Sequence, residues 1–282
     1  MQSDQGRNVR PGPVGRGPGR LVTSARAPRP AAIECVLVAG GKYHDIDFAR
    51  LQLLSLLAED PHVRVRVFED YEAVDAIAAA DFMVSYTCDV MPSDRAQEAL
   101  TDWVARGGRW HALHGTNSVL RFAADGKVET PPLAPRFMDL LGSQFMAHPP
   151  IAPYRVEVAD SAHPLVAGIE PFDVEDEQYL VKQLADLHIL LDTAFAGETP
   201  DFVRRHWPTQ RHPVLYLRTL GLGAVLYNTL GHCRGHHDLR PLVRWWPSVD
   251  RGAWELPIFR MLLRRGMAWA RAAIPAAQRG GS

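Results

Sequence analysis

The first regular pattern along the chain is an apolar run, IECVLVAGG at 33–41, which ends in two glycines and reads as a strand buried on both faces of a sheet. After a turn, residues 46–58 (IDFARLQLLSLLA) place Phe48, Leu51, Leu54 and Leu57 at helical spacing with Pro61 just beyond, which predicts an amphipathic helix. The cycle then repeats. VRVRVF at 63–68 reads as strand, the stretch near 71–79 as helix, DFMVSYT at 81–87 as strand, and Ser93 to Ala105 as a helix with Ser93 as its N-cap. GGRWHALHG at 107–115 supplies a fourth strand between glycines. Strict alternation of strand and helix predicts an α/β fold on a doubly wound parallel sheet.

Residues 116–210 break the alternation with many prolines and shorter strands, such as YRVEV at 154–158 and LHILLD at 187–192, and read as an elaborated second half. Strands return in PVLYLR at 213–218 and GAVLYNTL at 223–230, and a helix from about Glu255 to Ala272 closes the pattern.

Composition supports a full-sized core. Hydrophobic residues make up 46% of the 282 residues and charged residues 22%, close to ordinary globular usage. One large domain is expected over residues 31–275. Residues 1–30 differ: five glycines and five prolines stand among six arginines and one aspartate, a composition that buries too little apolar surface to offset ordering. That tail and residues 276–282 are expected to be disordered. Without the tail the net charge of −1 becomes mildly acidic, with 25 basic residues against 31 acidic ones. Nucleic-acid and anionic-membrane surfaces need clustered positive charge on the folded face, so neither partner is expected.

Three scattered cysteines, Cys35, Cys88 and Cys233, are too few for a disulfide framework or a paired-cysteine zinc site and point to a reducing cytoplasm. The first thirty residues hold no continuous apolar run of the kind a signal peptide or transmembrane helix needs.

In an open α/β sheet, ligands bind outside the carboxyl ends of the strands, so the polar residues there are the candidates for chemistry. The first strand is followed by Tyr43, His44 and Asp45, of which Asp45 reads as a helix N-cap. The third is followed by Thr87, Cys88 and Asp89, and the fourth by His114, Gly115, Thr116, Asn117 and Ser118. His114 falls where several α/β hydrolases hold their nucleophile, on a sharp strand-to-helix turn. It suits a general base or a metal ligand, and Gly115 lets the backbone turn behind it. A histidine merely packed under a loop is the plain alternative.

The middle section adds His148 in GSQFMAHPP, His163 in DSAHP, and Asp173, Glu175, Asp176 and Glu177 in DVEDEQY. A carboxylate beside a histidine orients its ring or completes a nitrogen–oxygen metal site, although such an acidic run also suits a solvated turn. NTLGHCRGHHD brings His232, His236, His237 and Asp238 close together, at a spacing that matches no standard zinc signature. Cys88 and Cys233 are thiols near histidines, and Cys35 is a small buried hydrophobe.

Several strings together resemble the ThuA-like (trehalose utilisation) family of the class I glutamine amidotransferase-like superfamily. They are GGKYHD at 40–45, GGRWHALHGTNS at 107–118, LLGSQFMAHPP at 140–150, VADSAHPLVAGI at 158–169, DVEDEQYL at 173–180 and GLGAVLYNTLGH at 221–232, followed by the FRMLLRRGMAWA helix. The resemblance covers about residues 33–272. It implies a flavodoxin-like sheet with helices on both faces, and a role in sugar metabolism beside oxidoreductases that make 3-keto sugars from disaccharides such as trehalose. By matching position it implies a pocket of His44, His114, His148, Asp176 or Glu177, and His232. Relatives with amidotransferase activity carry cysteine where this chain has His114, so glutamine hydrolysis through a thiol is not expected. CRGHHD also departs from the family, where an aromatic residue is more typical, so substrate choice is expected to differ.

Three functional readings follow. The first is an enzyme acting on a disaccharide, glycoside or 3-keto-sugar, with His114, Glu177 and His232 catalytic and His44, Asn117, His148 and Asp176 binding. The second is a non-catalytic sugar-binding or accessory protein, motivated by seven tryptophans, of which Trp245, Trp246 and Trp254 lie close in sequence. The third is a metal-dependent hydrolase that holds a divalent ion such as zinc on His44, His114 and His232. The expected partners are a small sugar, an oxidoreductase of the same pathway and further copies of the chain.

Overall fold

Strand β1 (Ile33–Gly41) is the first apolar run, and its side chains alternate between two cores: Cys35, Leu37 and Ala39 face one, Val36 and Val38 the other. This computed structural model describes residues 32–272, so the Arg/Gly/Pro-rich segment 1–30 and residues 276–282 lie outside the described residues. After β1 come α1 (Ile46–Leu57), β2 (Val63–Phe68), α2 (Val74–Ala78), β3 (Phe82–Cys88), α3 (Asp94–Ala105) and β4 (Arg109–Leu113), so the expected alternation holds. The next segment supplies the two-residue strands β5 (Arg121–Phe122) and β6 (Val128–Glu129), helix α4 (Pro135–Leu141), and strands β7 (Ser143–Ala147), β8 (Ala152–Val158), β9 (Phe172–Asp176), β10 (Leu180–Gln183) and β11 (His188–Glu198). Strands β12 (His206–Leu220) and β13 (Gly223–Asn228) and helix α5 (Pro257–Arg271) complete it.

The main sheet has nine strands in the order β2-β1-β3-β4-β13-β12-β11-β8-β9. From β2 to β13 neighbours are parallel, and from β13 to β9 they are antiparallel. The elaborated second half therefore extends the same sheet as hairpins. Helices α1 and α5 cover one face, through Leu53, Leu263 and Met267, and α2, α3 and α4 cover the other, through Ile77, Leu100 and Phe137. Each such side chain, fully buried, stabilises the fold by about 1.5–3 kcal/mol.

Two local expectations resolve differently. Ser93 and Asp45 do cap their helices, accepting from Ala96 N at 3.2 Å and Phe48 N at 3.1 Å. In α1, however, Leu51 is 60% exposed, and the buried stripe is Ala49, Leu53, Leu56 and Leu57. A spacing of four, three and one follows the 3.6-residue turn more closely than steps of three, which drift around the helix. No described helix is long and apolar enough to cross a membrane.

Candidate functional site

Strands β1, β4 and β13 each deliver a histidine just beyond the carboxyl end: His44, His114 and His232. Glu177 joins them from the residue after β9. All four are buried. His114 opens a one-turn 3-10 helix, His114–Asn117, with φ of 46°, a left-handed conformation that costs a non-glycine residue about 1–2 kcal/mol. Gly115 is needed for close approach, since a Cβ there would lie 2.6 Å from the Thr87 carbonyl oxygen at the end of β3. The strained residue is held from two sides: Tyr227 Oη donates to the His114 carbonyl at 2.6 Å, and the His114 ring meets the Thr229 carbonyl.

That ring contact fixes the protonation pattern. Nδ1 lies 2.8 Å from the Thr229 carbonyl oxygen, so Nδ1 carries a proton and donates. His44 Nε2 stands 2.9 Å from His114 Nε2, and Tyr179 Oη donates to the same atom at 3.2 Å. Glu177 lies across from them, its Oε2 3.4 Å from His114 Nε2 and 3.6 Å from His44 Nε2. Its Oε1 is 3.1 Å from both His232 Nδ1 and an Arg234 guanidinium nitrogen, and 3.5 Å from His148 Nε2. The approach to His232 is close but poorly aligned, because neither ring nitrogen of His232 has a partner in hydrogen-bonding geometry. Among the described residues, His44, His114, Glu177 and His232 form the one group whose candidate ligand atoms all lie within 4.8 Å of one another.

The family described as ThuA, trehalose utilisation, matches residues 35–240. The chain belongs to the ThuA family. Solved structures agree on the fold. A protein described as ThuA-like from Parabacteroides merdae superposes with a TM-score of 0.57 at 17% identity, over 86% of this chain and 90% of that one. Another from Bacteroides uniformis gives 0.59 at 16% identity, over 87% and 94%. A comparison with curated proteins finds no match.

Within this ThuA-family pocket the charges are unevenly placed. Burial drives the His44 imidazole down, to about 3, so that ring is neutral. Burial also works against a charge on His232, yet Glu177 and Asp250 outweigh it and raise the ring to about 9. Burial alone would push the Glu177 carboxyl up; the facing His148 and His232 rings instead hold it well below the usual carboxylate range. The thiols are no nucleophiles at neutral pH, because burial pushes Cys88 well up and Cys233 to about 12.

The remaining sequence candidates have distinct places. His148 sits at the edge of the pocket with its side chain 23% exposed. Asp176 turns away from the pocket. Its carboxylate accepts backbone N–H groups from Glu177, Gly231, His232 and Ala253 at 2.7–3.3 Å, and so ties the His232 loop to the segment before α5. Asn117 lies behind His114, donating from Nδ2 to Ser143 Oγ at 2.8 Å. Of the NTLGHCRGHHD histidines only His232 joins the cluster; the His236 ring stacks on Trp245 at 4.1 Å. His163 packs near His188, at 5.3 Å between ring centres. The three tryptophans part company: Trp254 is buried in the core, Trp246 donates to Asp250 and Trp245 is 54% exposed. Sequence reasoning missed Arg234, Tyr179 and Asp250. Arg234 and Tyr179 stand inside quoted strings, beside residues that were singled out, but no spacing rule marks an arginine or tyrosine as a histidine's neighbour.

Proposed function

We propose that this ThuA-family protein is an enzyme of carbohydrate metabolism whose His44, His114, His232 and Glu177 form a metal-assisted acid/base centre acting on a sugar or sugar derivative. The observation that carries the proposal is the convergence of four buried ligand-type side chains within 4.8 Å. The donor set is of the nitrogen-and-carboxylate kind that zinc takes. Two ligand atoms on one zinc ion stand about 3.4 Å apart by bond length and tetrahedral angle; Glu177 Oε2 is 3.4 Å from His114 Nε2 and 3.6 Å from His44 Nε2, those two nitrogens are 2.9 Å apart, and Glu177 Oε1 is 3.1 Å from His232 Nδ1. Second-sphere carbonyls suit the same purpose: Thr229 fixes the His114 tautomer, and Lys42 O lies 3.4 Å from His44 Nδ1. His232, with two buried and unpartnered ring nitrogens, is the remaining donor.

When bound, such an ion would polarise a carbonyl or hydroxyl oxygen of the substrate. The chain's own residues do the rest. Arg234 donates to Glu177 Oε1 at 3.1 Å and fixes the carboxylate in orientation. His148, the pocket histidine that reaches solvent, is placed to exchange protons between pocket and bulk water. Tyr179, its phenol pushed well up by burial, stays protonated and donates.

A second reading has a specific observation behind it. With no ion present, the His232–Glu177 pair is an imidazolium–carboxylate couple, since His232 is raised to about 9, and it offers acid/base chemistry without a metal. Metal content separates the two. Mass spectrometry of the purified protein is expected to show about one divalent ion per chain, lost in His114→Ala and His232→Ala; a metal-free wild type that turns over sugar supports the second reading.

A further inference from the structure

The cavity above the cluster, of about 140 Å3, has walls of two kinds. Phe145 and Phe202, 3% and 4% exposed with ring centres 5.8 Å apart, supply fixed aromatic faces, and the exposed Phe122 and Leu242 form the mouth. Two hydroxyl residues that the acid/base centre does not use, Ser118 and Tyr43, line the same space. Ser118 is 2% exposed, and its Oγ is buried without a hydrogen-bond partner. A buried hydroxyl in that state is destabilising until a partner is supplied, and in the wall of a cavity a ligand supplies it. Tyr43 follows β1 with φ of 69°, a conformation that bulky residues rarely adopt. The strain is held from three sides: Lys42 N donates to the Cys88 carbonyl at 3.0 Å, Asp45 N to the Cys233 carbonyl at 2.9 Å, and Arg234 Nε to the Tyr43 carbonyl at 3.2 Å. The half-buried Tyr43 ring is thereby set into the cavity wall, edge-on to Phe122 at 6.1 Å between ring centres.

Size and chemistry define the occupant. Sites for drug-sized ligands run from about 300 to 1,000 Å3, so a cavity of about 140 Å3 holds one ring, and whatever that ring carries lies beyond Phe122 and Leu242 in solvent. Aromatic faces with hydroxyls between them suit a ring of the same double nature, with C–H bonds on its face and hydroxyls around its edge. An apolar ring would leave Ser118 Oγ without a partner.

We infer that this chamber is a subsite for a single sugar ring, whose hydroxyls are held by Ser118 Oγ and the Tyr43 phenol while its C–H face rests on Phe145 and Phe202. For the class of ligand this rests on the sugar reading proposed above. Ser118 and Tyr43 lie outside the four side chains of the proposed metal centre, so the subsite and the centre fail separately.

Titration calorimetry on the full chain, with metal content measured on the same samples, tests it with methyl α-glucoside, methyl α-galactoside, methyl α-mannoside and trehalose. At least one methyl glycoside is expected to bind, and trehalose is expected to bind no more than about threefold tighter than methyl α-glucoside, because its second ring stays outside. Ser118→Ala and Tyr43→Phe are each expected to weaken the bound glycoside about tenfold, with metal content unchanged and the melting temperature kept or raised. A purely structural Ser118 or Tyr43 would give no such loss in a folded protein. Unchanged glycoside binding in either variant, a larger advantage for trehalose, or no heat with any of the four sugars at millimolar concentration overturns the inference. Glycoside binding that is lost in Glu177→Gln and kept in both hydroxyl variants removes the subsite and leaves the proposed function. A metal-free protein that shows both losses keeps the subsite and removes the metal centre.

Discussion

Strand β4 and the residue just after it hold two fully buried histidines three residues apart, and their surroundings have little in common. His114, at the carboxyl end, has a carbonyl on one nitrogen and His44, Tyr179 and Glu177 around the other. His111, in the middle, has no partner on either nitrogen and lies under helix α5, where a Cβ on Gly266 would come within 2.3 Å of its ring. Burial drives His111 down to about 3 with no opposing charge. Burial and residue type are therefore shared by a packing residue and a site residue. The mark of the site is convergence: side chains from four separate elements aim at one point, which no packing requirement explains.

The largest effect is expected at the carboxyl end. Glu177→Gln keeps the shape and removes the charge that faces four imidazoles and Arg234. Metal retention should fall at least about 100-fold, measured by equilibrium dialysis, because the substitution removes a ligand outright. His111→Leu should leave retention unchanged. Equal retention in Glu177→Gln and wild type would erase the distinction between the two ends of the strand.

Next comes the brace behind the cluster. Asp176→Ala strands the backbone N–H groups of Glu177, Gly231, His232 and Ala253 in the interior. A loss on the order of 3–5 kcal/mol is expected from denaturant unfolding, larger than for an ordinary surface aspartate. A loss below 1 kcal/mol would mean that the carboxylate is not the tie between the His232 loop and the Ala253 segment.

A third substitution probes the middle of the strand. Gly266→Ala places a better helix former in α5, worth about 1 kcal/mol on propensity alone. Against that, the new methyl meets the His111 ring, and overpacking of this kind costs about 1–3 kcal/mol. A net destabilisation with unchanged metal retention would confirm that this region serves packing alone; a rise in melting temperature would show that the ring has room to move.

The parallel half of the sheet was legible because its inner strands β1, β3, β4 and β13 are buried on both faces, so apolar runs and glycine stops carry the signal, while the edge strand β2 shows the alternation VRVRVF. The histidine triad was legible for a related reason: strand ends are where such a sheet must bind. Glu177 was reached through its string, DVEDEQYL, and the neighbouring Asp176 shows the limit of that route. Two adjacent carboxylates look alike in sequence, and only the backbone direction after β9 sends one into the pocket and the other into four N–H groups. Arg234 and Asp250 escaped notice because their contact with the site depends on the antiparallel bridge between Arg234 and Asp250, set by a loop whose closure has no sequence period.

His111→Leu sharpens the comparison with the smallest effect at neutral pH. The substitution removes two unpartnered nitrogens from the interior, and a gain of about 1 kcal/mol is expected at pH 7. The pH dependence is more telling. His111 has a folded value depressed from 6.5 to about 3, so in acid the unfolded chain takes up a proton that the folded chain refuses. Its effect on stability is absent above about pH 6.5 and grows as the pH falls towards 3, at about 1.4 kcal/mol per unit. Between pH 7 and pH 5 the wild type should therefore lose about 2 kcal/mol that His111→Leu retains. His44 titrates in the same sense but is present in both proteins, so the difference between their unfolding curves isolates His111. Parallel stability–pH curves would mean that the ring finds a partner or water when protonated, and that the middle of β4 is less dry than its missing hydrogen bonds imply.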